Sequence, residues 1–492
     1  MWRESRQSPI DLSEPQAPGR GSNRTVVPVS GPGDGRFLSE AACQALAKRV
    51  IGMAIGGGHT QVALDSVWTG AVHWARNRIN VSDDVRNNDV GIIREIRGAH
   101  TAGVIHQNMI DDASLEAAMR RAERLLQLLP EIAGSVLSDV EYTEQHLNPM
   151  IWSEATYRQE AGVRAEVARS SIQIAEQAGL VAAGSITISA SGRAVMNSRG
   201  RAMYYPYTGV QCSMTVRDPQ GTGSGWAGVS HWDWGQIDPK AITQRAVEKC
   251  LASRNPVALE PGRYTTILEP QAVYQLVGVF WDGNTDPRLD AERGNPVPPF
   301  GKGGAMSRLG EVVMDERLTV ESDPMDPELG QVPFAYNGNL GRLEIYRPVQ
   351  WVRRGVLVNL GYDLSYAMNY LGKNTSLLTS GVFRMRSSAP PVSVDEMIAT
   401  TTRGLLVTRL DGLGGMLGAV GYTRDGLWLV ENGKIAKPVK NFQYRENPYS
   451  LLQPARLEQI GAPVRVFTQG EAVVVPALKV KDFNFTQLVD AV

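Results

Sequence analysis

The sequence predicts an α+β protein, in which an N-terminal α/β region with an antiparallel sheet and packed helices precedes a mainly β C-terminal domain. Its 492 residues exceed what one hydrophobic core accommodates and indicate about two or three folding units. The 50 glycines and 28 prolines favour strands and turns over long helices. Helical periodicity is concentrated before Pro261, beyond which the chain turns mostly to strands.

Three segments are expected. Residues 1–36 are rich in Pro, Gly, Ser and charge, lack the apolar centre of a signal peptide, and predict a disordered arm. Residues 37–240 form the predicted N-terminal α/β domain, and residues 241–492 the β-rich C-terminal domain.

In the first domain, strands are expected from Gln61 to about Ile110, with a turn at Asn87-Asn88-Asp89. A helix begins at Asp112, where apolar residues recur at three-and-four spacing. A second helix covers Ala161 to Ala178, with Gly179 as its C-terminal cap. Residues 185–197 predict a hairpin that turns at Gly192, and Asp238-Pro239 opens a third helix.

In the second domain, Ser393-Val-Asp-Glu396 is typical of a capping box at the start of a short helix. Asn432-Gly433 separates two apolar runs and supplies the positive φ angles that a two-residue hairpin turn requires. The run from Tyr346 to Tyr370 is interpreted as aromatic strands.

The composition limits which binding partners and which cellular compartment are expected for the protein. The 50 basic and 51 acidic residues give a formal net charge of −1, which provides no electrostatic reason to expect nucleic acid or an anionic membrane. The three cysteines, Cys43, Cys212 and Cys250, are too scattered for a disulfide framework and favour a reducing cytoplasm. No apolar run approaches the roughly 20 residues that span a bilayer. A cytoplasmic protein without nucleic-acid or membrane partners is therefore expected.

The segment Gly421–Asn441, which reads GYTRDGLWLVENGKIAKPVKN, closely resembles the C-terminal signature of the TldD/PmbA (TldD/TldE) family of metallopeptidases. Other pieces resemble the family in the same order along the chain. They are residues 76–79, 184–208, 223–225, 261–264 and 309–324.

The resemblance implies a metal site in the catalytic branch of the family: a His-Glu-x-x-x-His helix that holds a divalent metal, completed by a C-terminal cysteine. Matched position by position, this chain has Gly278 for the first His, Val279 for the Glu and Gly283 for the second His. Cys250 is the last cysteine of the chain. The chain therefore resembles the PmbA/TldE-like branch of the family. The resemblance implies that this chain holds no cofactor and that a metal is expected only in a TldD-type partner.

Other clusters that could carry chemistry have structural interpretations that we favour. His231-Trp-Asp233 is better explained by loop packing than by a ligand pair, and His59 follows a glycine turn. Cys212 is interpreted as a buried apolar residue rather than a nucleophile. The acidic run between residues 311 and 328 lacks the ligand spacing of a calcium loop.

The expected function is that of a non-catalytic subunit of a TldD/TldE-type peptidase, inactive alone, that acts on small or unfolded peptides. The alternatives are an amide hydrolase that uses unidentified residues and a stand-alone peptide-binding or scaffold protein. The expected partner is a metal-bearing TldD-type homologue, with a homodimer as the alternative. Dimer or peptide-groove contacts are predicted in the aromatic run, since tyrosine suits contact faces. They are Trp351, Tyr362, Tyr366, Tyr370 and Asn374.

Overall fold

The structure is a computed structural model. It describes residues 35–95, 102–128, 151–278, 301–303, 306–337, 342–362, 364–373, 375–378, 380–415, 418–470 and 472–489. Of the predicted N-terminal arm, only Gly35 and Arg36 are included, and the disorder of the remainder stays a prediction. The Arg36 guanidinium lies 4.2 Å from the centre of the Trp68 ring and donates a hydrogen bond to the carbonyl of Tyr157. Arg36 is therefore packed against the first unit.

The first unit is built on a six-stranded sheet with the order β3-β2-β1-β4-β5-β6, in which every neighbouring pair is antiparallel. Its strands are β1 (His59–Ala75), β2 (Arg78–Glu95), β3 (Ala102–Gln107), β4 (Val181–Asn197), β5 (Ala202–Arg217) and β6 (Ser224–His231). Its helices are α1 (Glu40–Gly52), α2 (Asp112–Leu128), α3 (Glu154–Tyr157), α4 (Ala161–Gln177) and α5 (Pro239–Ala252).

One face of this sheet carries the helices. Even-numbered strand residues, such as Trp68 and Ile186, are buried in clusters with α1, α2, α4 and α5, because side chains alternate between the two faces of a strand. Odd-numbered residues, such as Ala63 and Tyr205, lie on the opposite face and pack with Phe334 of the second unit.

The second unit contains an eleven-stranded sheet and two short hairpins. Its strands are β7 (Gly262–Leu268), β8 (Gly301–Gly303), β9 (Met306–Ser307), β10 (Leu318–Ser322), β11 (Phe334–Asn337), β12 (Arg342–Ile345), β13 (Val349–Arg353), β14 (Val356–Leu357), β15 (Phe383–Ser387), β16 (Arg403–Gly415), β17 (Gly418–Glu431), β18 (Lys434–Pro438), β19 (Phe442–Glu446), β20 (Leu457–Arg465) and β21 (Val473–Leu488). Its helices are α6 (Pro270–Val277), α7 (Leu364–Leu371), α8 (Val394–Ala399) and α9 (Pro448–Leu451). No helix of the described residues is long and apolar enough to cross a bilayer.

Part of the larger sheet closes on itself. β7 pairs with β16 on one side and with β21 on the other, so β21, β19, β17, β16 and β7 form a ring. α6 follows β7 directly and buries Ala272, Val273, Leu276 and Val277 in the core of this unit.

The α+β class and several local predictions are confirmed. The helices predicted from Asp112, Ala161 and Pro239 are present, and Ser393 forms a full capping box with Glu396. Asn432 and Gly433 have φ angles of 50° and 77° between β17 and β18, as a primed hairpin turn requires.

Two predicted turns are wrong. Asn87-Asn88-Asp89 lies inside β2, paired with Asp65, Ser66 and Val67 of β1. Gly192 lies inside β4, which runs unbroken from Val181 to Asn197. A Cβ atom at Gly192 would lie 2.7 Å from the Tyr204 hydroxyl and 2.8 Å from the Leu38 carbonyl. Glycine is thus explained at this position by close packing and not by a turn.

The packing of α5 differs from the predicted domain boundary at 240/241. This helix contacts β5, β6 and α4, and Val247 and Cys250 belong to the core of the first sheet. The first unit therefore extends to about Ser253, since its last helix covers the edge strand of its own sheet.

The two units are joined by buried polar contacts. Asp425 of β17, which is 5% exposed, accepts hydrogen bonds from the Ser224 hydroxyl (2.7 Å) and from the Arg409 guanidinium (2.6 Å). Nearby, the Trp428 indole donates to the carbonyl of Ala252 at 3.2 Å. Asp425 thus connects the second unit to β6 of the first.

We expect Asp425→Asn to lower the free energy of unfolding by about 1–3 kcal/mol, because it removes a buried charge-assisted hydrogen bond. Asparagine tolerates the φ of 56° at this position, so backbone strain does not contribute. The matched control is Asp411→Asn, whose Arg424 ion pair is solvent-exposed and is worth less than about 1 kcal/mol. Urea denaturation of both variants tests this, and equal effects would contradict the role of Asp425.

Candidate functional site

Helix α6 ends at Val277, directly before Gly278, the first of the three positions where the family resemblance places the metal ligands. It contains no His, Asp, Glu or Cys, and its two glutamines hold neighbouring backbone. Gln271 bonds the backbone of Phe467 in both directions, at 3.1 Å from its amide nitrogen and 3.0 Å to its oxygen. The Gln275 oxygen accepts from the amide of Leu410 at 2.8 Å. These glutamine contacts brace α6 against its surroundings.

Gly278 is the C-terminal cap of α6. A Cβ atom added there would lie 2.9 Å from the Tyr274 ring, so an imidazole at this position requires Tyr274 to move. Val279 and Gly283 lie outside the described residues, and the loss of the complete motif stays a prediction. Within the part of the chain that the structure describes, no group of three or more His, Cys, Asp and Glu could hold a metal. The described residues do not fit the metal of the catalytic branch.

The three cysteines are buried in the first unit. Burial raises the pKa of the Cys43 and Cys212 thiols to about 12 and that of Cys250 to about 11. Since the thiolate is the nucleophile and the metal ligand, these protonated thiols are unsuited to either role. The interpretation of Cys212 as a buried apolar residue agrees with this environment.

The acidic run is paired with arginines. Asp315 bonds Arg317 at 2.8 Å, Asp326 bonds Arg384 at 2.7 Å, and Glu321 bonds Arg386 at 2.9 Å. Carboxylates held in ion pairs of this kind stabilise the loop locally. The pairing supports a structural role for this run rather than a calcium loop.

The predicted aromatic contact set requires correction. Trp351 is 1% exposed and donates from its indole to the Ser322 hydroxyl at 2.8 Å, so it belongs to the core. Residues 364–371 form helix α7 and not a strand. Tyr366 of this helix (5% exposed) and Tyr362 just before it (8% exposed) are buried in one small cluster. Only Tyr370, which is 72% exposed, presents a surface, and Asn374 lies outside the described residues.

A cleft of about 390 Å³ lies between the two units, and we call it the inter-unit cleft. Its first wall comes from β4, β5 and β6, and its second from loops around residues 330, 346, 380 and 468. The lining residues are Ile151, Ser189, Arg193, Tyr207, Thr208, Gly209, Val210, Gln211, Ser230, His231, Trp232, Gly330, Gln331, Val332, Tyr346, Ser380, Val382, Arg465, Thr468, Gln469 and Gly470. None of them is Asp or Glu.

Two arginines of the cleft are in different electrostatic situations. Arg193 forms an ion pair with Asp65 at 2.7 Å, which offsets its charge. The Arg465 guanidinium donates to the backbone carbonyls of Ser230 (2.7 Å) and Glu328, and the Glu328 carboxylate partly offsets its charge from beyond ion-pair distance. Burial lowers the pKa of Arg465 to about 10, so it stays cationic at neutral pH.

His231 is neutral in this cleft. Burial, followed by the positive charge of Arg465, lowers its pKa to about 4. Its Nδ1 accepts a hydrogen bond from the backbone amide of Asp233 at 2.9 Å, and the Asp233 carboxylate accepts from the Ser153 hydroxyl at 2.7 Å. This arrangement supports the loop-packing interpretation of the His231-Trp-Asp233 pattern.

Gln331 lines the cleft with an unsatisfied amide. The residue is 5% exposed, and neither its side-chain nitrogen nor its oxygen has a hydrogen-bond partner. Burying an amide without partners costs free energy, so such groups are uncommon in folded proteins.

Comparisons with known proteins bear on this architecture. Residues 160–254 match the model of the PmbA/TldA metallopeptidase central domain, and residues 261–487 match that of the C-terminal domain. Together these matches cover more than half of the chain. The chain belongs to the PmbA/TldA metallopeptidase family. No curated protein sequence matches it.

Solved structures share the fold of this chain. TldE from Thermococcus kodakarensis has a TM-score of 0.73 at 16% identity, over 90% of this chain and 100% of its own. A protein described as a putative modulator of a DNA gyrase from Thermotoga maritima gives 0.73 at 16%, over 89% and 99%. One described in the same words from Bacteroides thetaiotaomicron gives 0.72 at 18%, over 90% and 99%. At these identities the likeness shows the fold alone.

Sequence reasoning missed the inter-unit cleft. Arg193, Gln331 and Arg465 come from different elements and are separated by long stretches of chain, so no local spacing connects them. The sequence offered only an indirect signal for the cleft. Polar residues cluster at Ser230-His231, where β6 ends, and at Thr468-Gln469-Gly470, shortly after β20.

We expect the purified chain to bind no stoichiometric transition metal, since glycine or valine stands at all three ligand positions, Gly278, Val279 and Gly283. Elemental analysis after dialysis tests this, and about one zinc or iron per chain would contradict it.

The triple variant Gly278→His, Val279→Glu, Gly283→His is expected to remain inactive alone, because it lacks the C-terminal cysteine and the surrounding groups that orient metal ligands.

We expect Tyr366→Ser to destabilise the fold by about 2–5 kcal/mol, as large-to-small core substitutions do. Tyr370→Ser is the matched control, one helical turn away on an exposed side chain, and should cost no more than about 1.5 kcal/mol, since it removes only the ring contact with Tyr366 at 5.0 Å. Thermal denaturation compares the two. Equal stability of both variants would restore Tyr366 to the contact surface.

Proposed function

We propose that this chain is a non-catalytic, TldE-like subunit of a heteromeric TldD/TldE-type metallopeptidase that acts on small or unfolded peptides. The observation that carries the proposal is Gly278 at the C-terminal cap of α6. The resemblance places the first metal ligand at this position, which has no side chain, and a Cβ atom there would lie 2.9 Å from the Tyr274 ring. The metal would then come from a TldD-type partner.

The inter-unit cleft supports a role in peptide handling. β6 pairs with β5 only from Val210 to Arg217, and Tyr207, Thr208 and Gly209 continue along the cleft. Extended peptides bind by adding to strand edges, because backbone hydrogen bonds tolerate many side chains. At this edge the Thr208 amide is already bonded to the carbonyl of Ile151, which limits how far a peptide could pair. A wall of this kind would guide an extended peptide and exclude folded proteins.

The alternative of an amide hydrolase gains no support from the described residues. The cysteines are buried with raised pKa values, and His231 uses Nδ1 as an acceptor for a backbone amide. Two described serine hydroxyls donate to carboxylates, Ser153 to Asp233 and Ser224 to Asp425, and both bonds hold neighbouring segments together. The other alternative, a stand-alone peptide-binding or scaffold protein, differs from the proposed subunit in having no TldD-type partner.

The proposal is tested by mixing the chain with a TldD-type homologue from the same host, each purified separately. We expect an unstructured fluorogenic peptide to be cleaved by the mixture and not by this chain. Chelator treatment of this chain before mixing should have no effect, whereas treatment of the homologue should abolish cleavage. A folded protein is the control substrate and should stay intact.

Each other outcome selects an alternative. Cleavage by this chain alone in the presence of chelator identifies an amide hydrolase. If the two proteins sediment separately and the chain does not change the homologue's activity, the accessory-subunit function is rejected in favour of a stand-alone binding protein.

A further inference from the structure

The N-terminal half of β2 is an open edge of the first sheet. β3 pairs with β2 only from Val90 to Glu95, and among the described residues the backbone of residues 78–88 pairs with β1 alone. The side chains of residues 78–87 are all exposed, so the described helices leave this edge uncovered. At the other edge of the sheet, β6 contacts the second unit through Ser224. β2 is therefore the edge at which the sheet can accept a further strand.

This edge lacks several features that usually prevent strands from pairing. Natural edge strands are often short, bulged, or interrupted by proline, and many carry lysine. Residues 78–89 contain no Pro, Gly or Lys, and their pairing with β1 is regular from Val81 onwards. Ile79, Val81 and Val85 are 40%, 43% and 52% exposed. A long, regular and partly apolar edge of this kind is suited to strand addition.

The charges on this strand determine which partner fits it. The strand carries Asp83, Asp84 and Arg86, and like charges directly across a strand pair destabilise it. When two copies meet antiparallel about a two-fold axis at Val85, each Arg86 lies across from the Asp84 of the other copy. Asp84 can accept this contact, because only its Oδ1 accepts from Arg164 (2.8 Å) and its side chain is 47% exposed. The strand is thus complementary to a second copy of itself.

Other registers of the same pair are less favourable. A two-fold axis at any of the three charged residues sets like charges against each other. An axis at Val81 avoids this, but it pairs residues 78–84 only, because the strand begins there. The axis at Val85 pairs residues 81–89 of both copies, up to the point where β3 covers Val90. It therefore forms the longer ladder of backbone hydrogen bonds.

We propose that two copies of this chain join edge to edge through residues 81–89 of β2, in an antiparallel pair centred on Val85. The sheets of both copies then form one continuous sheet with all helices on the same side, since the two-fold axis is perpendicular to the sheet. The pairing uses the open edge of each copy and stops at a dimer. Because the contact is small beside a standard protein interface, dimerisation should depend on concentration. It involves neither α6 nor the inter-unit cleft and does not rest on the proposed function.

Cysteine cross-linking of the isolated full-length chain tests the register. Val85→Cys places two thiols across the axis from each other, within reach of a disulfide, so mild oxidation should yield a covalent dimer. Val81→Cys is the matched control on the same side of the strand. Its thiols would lie roughly 27 Å apart and should not cross-link. The three native cysteines are buried, so the wild type should stay uncross-linked.

Charge reversal tests the predicted ion pairs. Arg86→Glu sets carboxylates against Asp84 at both ends of the pair and should weaken dimerisation about tenfold in sedimentation equilibrium. Arg78→Glu is the matched control, because it makes the same charge change on the same exposed strand but outside the paired run. It should dimerise like the wild type. Both variants should keep the wild-type melting temperature, since both side chains are exposed.

Several outcomes would overturn the proposal. They are a wild-type chain that stays monomeric at its highest soluble concentration, equal effects of the two charge variants, and cross-linking of Val81→Cys without that of Val85→Cys. Growth into larger assemblies would also overturn it, because two-fold pairing closes at two copies. If Val85→Cys cross-links only to an added TldD-type homologue, that homologue occupies the edge and self-pairing is rejected.

Discussion

The pairing of β21 with several neighbours is the constraint on which the second unit depends. This sixteen-residue strand bonds β7, β19, β20 and β15, and its contact with β7 closes the ring. Because α6 follows β7 and packs on β21, closure fixes the helix that ends directly before Gly278, the first of the family's ligand positions. β20 ends at Arg465, and its connection to β21 contains Thr468, Gln469 and Gly470; these four residues line the inter-unit cleft. One strand therefore positions both candidate sites.

Much of the local structure could be predicted because it is encoded locally. Helix caps and three-and-four spacing identify α2, α4 and α5, and the Asn432-Gly433 turn needs only its own two φ angles. The wrong turn predictions occur where contacts between elements distant in sequence determine which residue fits. Gly192 is explained by the approach of Tyr204 from the neighbouring strand, and a sequence pattern does not distinguish that demand from a turn.

The ligand positions after α6 and the inter-unit cleft also differ in how far the sequence predicts them. The substitutions at Gly278, Val279 and Gly283 were proposed from a linear motif, because ligands on one helix are close in sequence. The cleft has no such signature: Arg193, Gln331 and Arg465 meet only after both units have folded and docked. The tyrosine spacing misled, since a repeat of four residues suits the buried face of α7 as well as an exposed stripe. Whether the tyrosines are buried distinguishes these two interpretations, and burial depends on residues that are distant in the sequence.

The contrast between α6 and the cleft bears on what the chain retains. At α6, Gln271 and Gln275 bond neighbouring backbone and hold the helix in place. In the cleft, the buried Gln331 amide lacks hydrogen-bond partners, and Arg465 donates to the carbonyls of Ser230 and Glu328. An amide buried without partners costs free energy that a hydrophobic side chain would not. A binding role in the cleft needs no metal ligand, so it is compatible with the proposed accessory function.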